Sequence, residues 1–413
     1  MADNITWSKS KMANRRQITL LSLPVVALTA CVQQVNPIWE TYFSTSQNNN
    51  NIEWLNHLTL DNTNDLLLTG GNITTGANRN EDGFLAKYDQ QGSQIWAARY
   101  ELPASAANST LSNEKLIESR VDDDGYIYSV GRRFETVDGV VQKSSFVMKV
   151  DQDGSFIWTT KISDSHDVFD LEIFEDSVYV TGFATQRLSK DGDVELTIDN
   201  ADRAWDIEVD MQGNMYVASR QDLVQYDSSG TLNWQYSHTS TELNYRANIE
   251  LDETNNSLVL LQADGDTRYL LQSFSMLGDS NWNKSISLTN DNSFSGKPKL
   301  IVDDSAIWFA FSNDSQTKVG KVSTAGSSQW TFTEQQGPIH GLGKLANGNV
   351  AVTGAGHSVL LDSKGKQLAE NDTARTASNT SGSIVVDGNK MFVGTSASTS
   401  ESGIAVHLAM FEQ

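Results

Sequence analysis

One ten-residue phrase recurs along this chain and restricts what it can fold into. Residues 87–96 read KYDQQGSQIW, 149–158 read KVDQDGSFIW and 225–234 read QYDSSGTLNW. Looser copies are SFSMLGDSNW at 273–282 and KVSTAGSSQW at 321–330. Two degenerate copies keep only the frame, as Ser189, Gly192, Leu196 and as Asp362, Gly365, Ala369. Each begins in an alternating strand, turns through Asp/Ser-x-x-Gly, and places a large apolar residue seven positions after the Asp or Ser. Asp or Ser first and Gly fourth are the preferences of a type I turn. Gly also takes the positive φ that a short hairpin often requires. The Trp falls at one strand phase every time, which reads as a core position repeated between stacked units, not as a sugar-stacking surface.

A second hairpin precedes each copy: alternating residues, a polar turn, then a β-rich strand ending near Gly or a small residue. Its instances are 58–71, 118–131, 171–182, 207–219, 249–263, 300–312, 342–354 and 384–394. Two hairpins give four strands, an inner pair and an outer pair. The inner hairpin occurs eight times but the outer one is complete only seven times. The eighth outer pair begins at 403–411, and a candidate for its partner lies at 37–43 (PIWETYF), where Trp39 matches the repeat tryptophans. A β-propeller closes its ring in this way, and closure removes exposed sheet edges. The expectation is an all-β, eight-bladed β-propeller closed by the N-terminal strand, with seven blades as the alternative because the third and seventh copies are weak. Spacings of 38 to 62 between residues 39, 96, 158, 196, 234, 282, 330 and 369 bracket a four-stranded blade. Segments 48–51, 102–114 and 239–245 read as polar loop insertions.

The formal charge is −22, and residues 1–30 are net basic (Lys9, Lys11, Arg15 and Arg16 against Asp3), so the remainder is more acidic still. Such a field repels nucleic acid and anionic headgroups and admits divalent cations or basic proteins. With 29 Gly and only 5 Pro, the composition suits many short strands and tight turns.

Arg15-Arg16 precede the uncharged run ITLLSLPVVALTA at 18–30, and Cys31 follows it as the only cysteine. The run is shorter than the roughly 20 residues of a spanning helix. Basic flank, short apolar run and small residues describe a secretory signal, with Met12 a possible start. Leu28-Thr29-Ala30-Cys31 resembles the lipobox of bacterial lipoproteins. The resemblance implies lipidation of Cys31 as the first mature residue. With Val32 instead of Asp at the next position, it also implies an outer-membrane destination. The arginine pair also weakly resembles a twin-arginine signal, but Ile18-Thr19 stands where that pattern has Phe-Leu. The expected organisation is a signal peptide at 1–30, a lipid-anchored linker at 31–36 and a propeller at 37–413. Beyond Cys31 no disulfide or thiolate metal site is available, so the core alone must hold the domain.

Segments 83–96 and 66–70, with VYVTG at 178–182, resemble the bacterial propeller repeat of YVTG…FVAKYDxxGxxxW type. A lipid anchor joined to eight blades is also similar to the propeller lipoprotein of the outer-membrane β-barrel assembly machinery, a non-enzymatic scaffold. The repeats here carry Asp-x-x-Gly turns where that family has Thr-Gly-x-x-x-Trp. The resemblance implies envelope or outer-membrane protein partners; a monomer is expected, and the acidic charge argues against nucleic acid.

Aligning the inner hairpins puts His57, Glu118, Asp170, Asp206, Asn248, Lys299 and His340 at one level of the channel mouth. That is a polar, mostly acidic funnel, able to take a cation, sugar or basic peptide, or simply a solvated lining. Asp122-Asp123-Asp124-Gly125 and Asp151-Gln152-Asp153-Gly154 suggest Ca2+, yet neither supplies the alternating acids or the later bidentate Glu of a calcium loop. The histidines are scattered, and neither a nucleophile elbow nor a phosphate loop is present. No cofactor is expected. A non-catalytic envelope scaffold is the leading reading. An enzyme or ligand binder acting at the channel mouth on a polysaccharide or cation is the alternative.

Overall fold

The computed structural model describes residues 33–34, 36–44, 51–74, 80–103, 105, 107–165, 167–237, 246–264, 268–288, 294–334, 337–354, 357–371, 382–398 and 404–413. The signal segment, Cys31 and the 239–245 insertion lie outside them. Every regular element among the described residues is a β-strand.

The alternating segments pair into antiparallel sheets whose common unit is four strands in chain order. Repeats two to six, at 109–163, 168–199, 204–237, 247–287 and 294–334, are each one such sheet. Repeat seven, at 339–371, carries Gln33–Gln34 as a fifth strand, parallel to Gln367–Asn371. This strand falls inside the expected linker. The remaining sheet has eight strands. It contains repeat one (51–100), the three strands of 382–412, and Trp39–Phe43, which runs antiparallel to Ile404–Glu412 from Trp39↔Met410 to Phe43↔Val406. Its two halves meet at a single parallel pair, Ile52↔Ile404.

The turn phrase works as its chemistry predicts. Asp89 Oδ1 accepts the N–H groups of Gln91 and Ser93 at 2.9 and 2.8 Å. Asp151, Asp227 and Asp362 repeat the arrangement. Where Ser replaces Asp, the same bonds lengthen: Ser275 Oγ accepts from Leu277 and Asp279 at 3.3 and 3.2 Å. The fourth-position glycines sit at φ between +78° and +93°.

Their second reason for being Gly lies in the preceding repeat. Trp96, Trp158, Trp234, Trp282 and Trp330 lie on the fourth strands, and each ring covers the turn glycine of the next repeat. Each indole N–H also donates to a carbonyl of that turn: Trp282 to Thr324 at 2.8 Å, Trp330 to Ser363 at 3.0 Å. Trp39 does the same to Gln90, at 2.9 Å, in repeat one. The weak copies follow this logic. Leu196 covers Gly230 without a donor, and Ala369 packs instead with Met391 and Phe411.

The apolar core is distributed. Eight clusters of buried side chains each bridge one repeat and the next. One of them joins Phe392, Val406 and Leu408 to Leu55, Leu68 and Phe84. Each fully buried side chain of this size contributes about 1.5–3 kcal/mol.

One expectation is corrected. Of the supposed loop 102–114, the part from Ser109 onward is strand, because Ile127–Val137 and Val140–Val150 extend beyond their counterparts and give it a partner. Their two-residue Asp138-Gly139 turn, with φ of 51° and 77°, has the positive angles of a type I′ hairpin.

Candidate functional site

The first strand of each repeat packs beside the first strand of the next, and the eighth packs beside the first. These strands have a free edge, whose N–H groups need acceptors. Side chains of the neighbouring repeat supply them. Asp170 Oδ2 accepts from Ile207 N–H at 3.0 Å, Asp206 Oδ2 from Ile249 N–H at 2.6 Å, and Asn248 Oδ1 from Leu300 N–H at 2.7 Å. Ser312 takes Ile339 N–H at 2.8 Å, and Ser383 takes Leu58 N–H at 3.2 Å.

A recurrent bulge sets the phase. Pairing skips one residue between Leu55 and His57, Leu116 and Glu118, Val168 and Asp170, Ala204 and Asp206, and Ile339 and Gly341. A bulge sets two residues against one and turns the strand locally. His57, Glu118, Asp170 and Asp206 therefore occupy equivalent positions just after it. Asn248 lies on a strand that runs without a shift. Lys299 follows a wider irregularity that starts at Ser295. His340 is itself the bulged residue, and Gly341 holds the equivalent position, so the sequence alignment was one residue off there.

The structure brings six of the seven predicted residues into one electrostatic network. His57 Nε2 lies 3.7 Å from Glu118 Oε1, and Glu118 also pairs with Arg120 at 3.1 Å. Asn248 Nδ2 donates to Asp206 Oδ2 at 2.6 Å. Lys297 forms an ion pair with Asp206 and reaches Asp170 at 3.9 Å. Lys299 lies close enough to Glu118, Asp206 and Asp170 to feel their charge.

Sequence reasoning missed a second tier: Arg120, Glu172, Glu208 and Glu250, each two residues beyond a predicted one, and Lys297, two before Lys299. The period of two along a strand carries that signal. With this tier six acids (Glu118, Asp170, Glu172, Asp206, Glu208, Glu250) face three cations (Arg120, Lys297, Lys299). Burial raises Asp170 to about 6 and Asp206 to about 7; Lys297 opposes this, while Glu118 adds to it at Asp170 and Asp170 adds to it at Asp206. Burial and then Asp206 raise Glu250 to about 8, and burial with Glu250 and Glu172 pushes Glu208 well above the usual range. His57 is driven far down by burial and then by Arg120, Lys299 and Lys297, so it is neutral at pH 7. Exposure is uneven: Arg120 keeps 39% of its side chain accessible, while Asp170 and Asp206 keep 6% and 4%.

The aspartate-rich segments are turns. Asp122 Oδ1 accepts from Asp124 and Tyr126 N–H, and its Oδ2 accepts from Tyr128 Oη at 3.2 Å. Among the described residues, no group of three or more His, Cys, Asp and Glu is placed to hold a metal ion. A concavity of about 530 Å³ opens elsewhere, on the turn side between repeats four and five, beside Trp234, Met276 and Leu277.

No protein-family model and no curated protein matches the sequence. Solved structures do match in fold. BamB from Moraxella catarrhalis is 15% identical with a TM-score of 0.52, covering 90% of this chain and 98% of that one. The Dos1 propeller is 11% identical with a TM-score of 0.60, covering 91% and 95%. In fold, this chain is a β-propeller.

Proposed function

We propose that this protein is a lipid-anchored, non-catalytic propeller scaffold that binds other proteins in the bacterial cell envelope. We further read its ring as eight blades, the eighth completed by Trp39–Phe43. Eight inter-repeat cores and the pairing of that strand with Ile404–Glu412 support this count. So does the contact of the eighth first strand with the first.

One observation carries the scaffold reading over an enzyme at the channel mouth. Three of the predicted channel side chains, Asp170, Asp206 and Asn248, bond the backbone of the next blade. A residue that closes a neighbour's edge is committed to holding the ring, and the working surfaces are then the faces and rim. The anchor rests on the lipobox resemblance. The test is a pull-down from detergent-solubilised envelopes with the tagged full chain, against Cys31→Ala. Recovery of a defined outer-membrane protein, weakened in the variant, is the expected result. A bait that returns clean from both would overturn the reading.

A further inference from the structure

On the side of the ring opposite the Asp-x-x-Gly turns, repeats two to five place a row of alternating cations and rings. The Arg132 guanidinium lies 5.2 Å from the Phe169 ring centre, Phe169 lies 4.2 Å from Trp205, and Arg246 lies 5.8 Å from Trp205 on its other side. Phe169 and Trp205 are the bulged residues of their strands, which is why they leave the channel phase of Asp170 and Asp206. Arg203 adds a further cation, 3.1 Å from Asp167, and Phe183, whose N–H donates to Asp167 O, leaves 48% of its surface exposed. Arg203 and Arg246 are exposed, and both lie close enough to Arg132 to lower its pKa, behind the larger effect of burial.

On a chain of charge −22, arginines grouped beside aromatic rings depart from the prevailing acidic surface. Two buried donors in the row, Arg132 Nε and Trp205 Nε1, have no hydrogen-bond partner. Unpaired buried donors are uncommon in a folded protein, and Arg132 otherwise donates through Nη2 to Val168 O at 3.0 Å. Guanidinium stacked on aromatic faces is presented for carboxylate recognition beside an apolar contact.

We propose that this row is the docking site for an acidic polypeptide segment of a partner, one that sets Asp or Glu carboxylates beside an aromatic or aliphatic anchor. The carboxylates pair with Arg246, Arg203 and Arg132, and the anchor lies against Trp205, Phe169 and Phe183. A short segment fits the charge balance, because the acidic field of the whole molecule repels a long polyanion. The proposal gives the scaffold reading its contact surface and rests on it for the biological partner.

The test titrates the full chain with a panel of fluorescent dodecapeptides mixing Asp and Glu with Phe, Leu and Trp. Panels with Asn and Gln in place of the acids, an anionic vesicle and a single-stranded oligonucleotide are run alongside. The expected result is salt-sensitive binding of acidic-apolar peptides only, weakened about tenfold by Arg246→Glu and by Arg203→Gln. Arg246 is exposed and Arg203 is half exposed but pairs with Asp167, so the thermal midpoint of each variant is measured beside its binding, and Lys161→Gln on the same protein leaves binding unchanged. Equal affinity for the neutral panel, binding indifferent to Arg246→Glu, or tighter capture of vesicle or oligonucleotide would each overturn the assignment. The Arg246→Glu chain also separates the two ideas. If it still recovers the envelope partner, the scaffold stands and this site falls. If acidic peptides bind but no partner is recovered, the reverse holds.

Discussion

Lys297→Met tests whether the channel charges hold the ring together. Lys297 sits among Asp206, with 4% of its side chain accessible, and Asp170, with 6%. Removing one member of a buried pair costs about 3–5 kcal/mol, because the partner is left charged and unpaired. The low end applies, since Lys297 itself is 26% accessible. Unfolding entropy of about 2.1 cal/mol/K per residue over roughly 380 residues converts about 3 kcal/mol into a Tm loss of about 4 °C. The loss must depend on pH in a fixed direction. Asp170 and Asp206 titrate at about 6 and about 7 in the folded state, above the ordinary carboxylate range. Folding therefore takes up protons between about pH 4 and 7, and stability falls as pH rises through that window. At pH 5 the carboxyls are largely neutral and Lys297 has little charge to offset, so the variant approaches the parent. At pH 8 the full loss appears. Asp206→Asn added to Lys297→Met removes the orphaned charge and restores most of the stability at pH 8. Scanning calorimetry of the three proteins at pH 5, 6, 7 and 8 reads this directly. A Tm loss that is the same at every pH would refute the electrostatic account and leave Lys297 as packing alone.

Two further outcomes follow from the turn and its tryptophan. A methyl on Gly139 meets nothing within 4 Å, whereas one on Gly365 meets Trp330 ring atoms at 2.5 Å, and φ is +77° and +79°. Gly139→Ala is expected to cost about 1–2 kcal/mol from backbone handedness alone. Gly365→Ala costs at least twice that in urea unfolding, and equal losses would show that the ring does not confine the turn. Trp282→Phe keeps most of the apolar contact but removes the 2.8 Å bond to Thr324 O. Its expected cost is about 1–2 kcal/mol, read as a lower urea midpoint at unchanged slope.

Much of the fold was legible because its rules are local. The Asp-x-x-Gly turn closes on its own side chain, so Asp89 or Asp227 announces itself without knowledge of the rest of the molecule. The strand phase of Trp96 or Trp330 follows from a fixed count after that turn. The pairing of Trp39–Phe43 with Ile404–Glu412 was visible as a missing outer strand. Of the channel only the first tier was read; Arg120, Glu172, Glu208 and Glu250 were missed although the period of two points to them. His340 slipped by one because its bulge is invisible in composition. Lys297 escaped because the register breaks between Ser295 and Lys299. The row from Arg132 to Arg246 had no sequence signal, since its members come from separate strands and two of them are bulged.

Reading the acidic charge as ligand recognition inverts cause and effect. Asp61, Asp89, Asp122, Asp151, Asp210, Asp227 and Asp362 each accept the N–H groups of their own turn, so a β-hairpin repeated along the chain makes the protein acidic whatever it binds. The channel acids have a comparable origin where they close a neighbouring strand, as Asp170 and Asp206 do. Acidity of this kind is a by-product of folding and carries little information about a partner. The informative charges are those the fold does not require. Arg246 closes no turn and covers no strand edge, yet it stands 5.8 Å from the Trp205 ring on the face away from the aspartate turns. Recognition on this propeller is therefore to be sought where the charge departs from the pattern the repeat imposes.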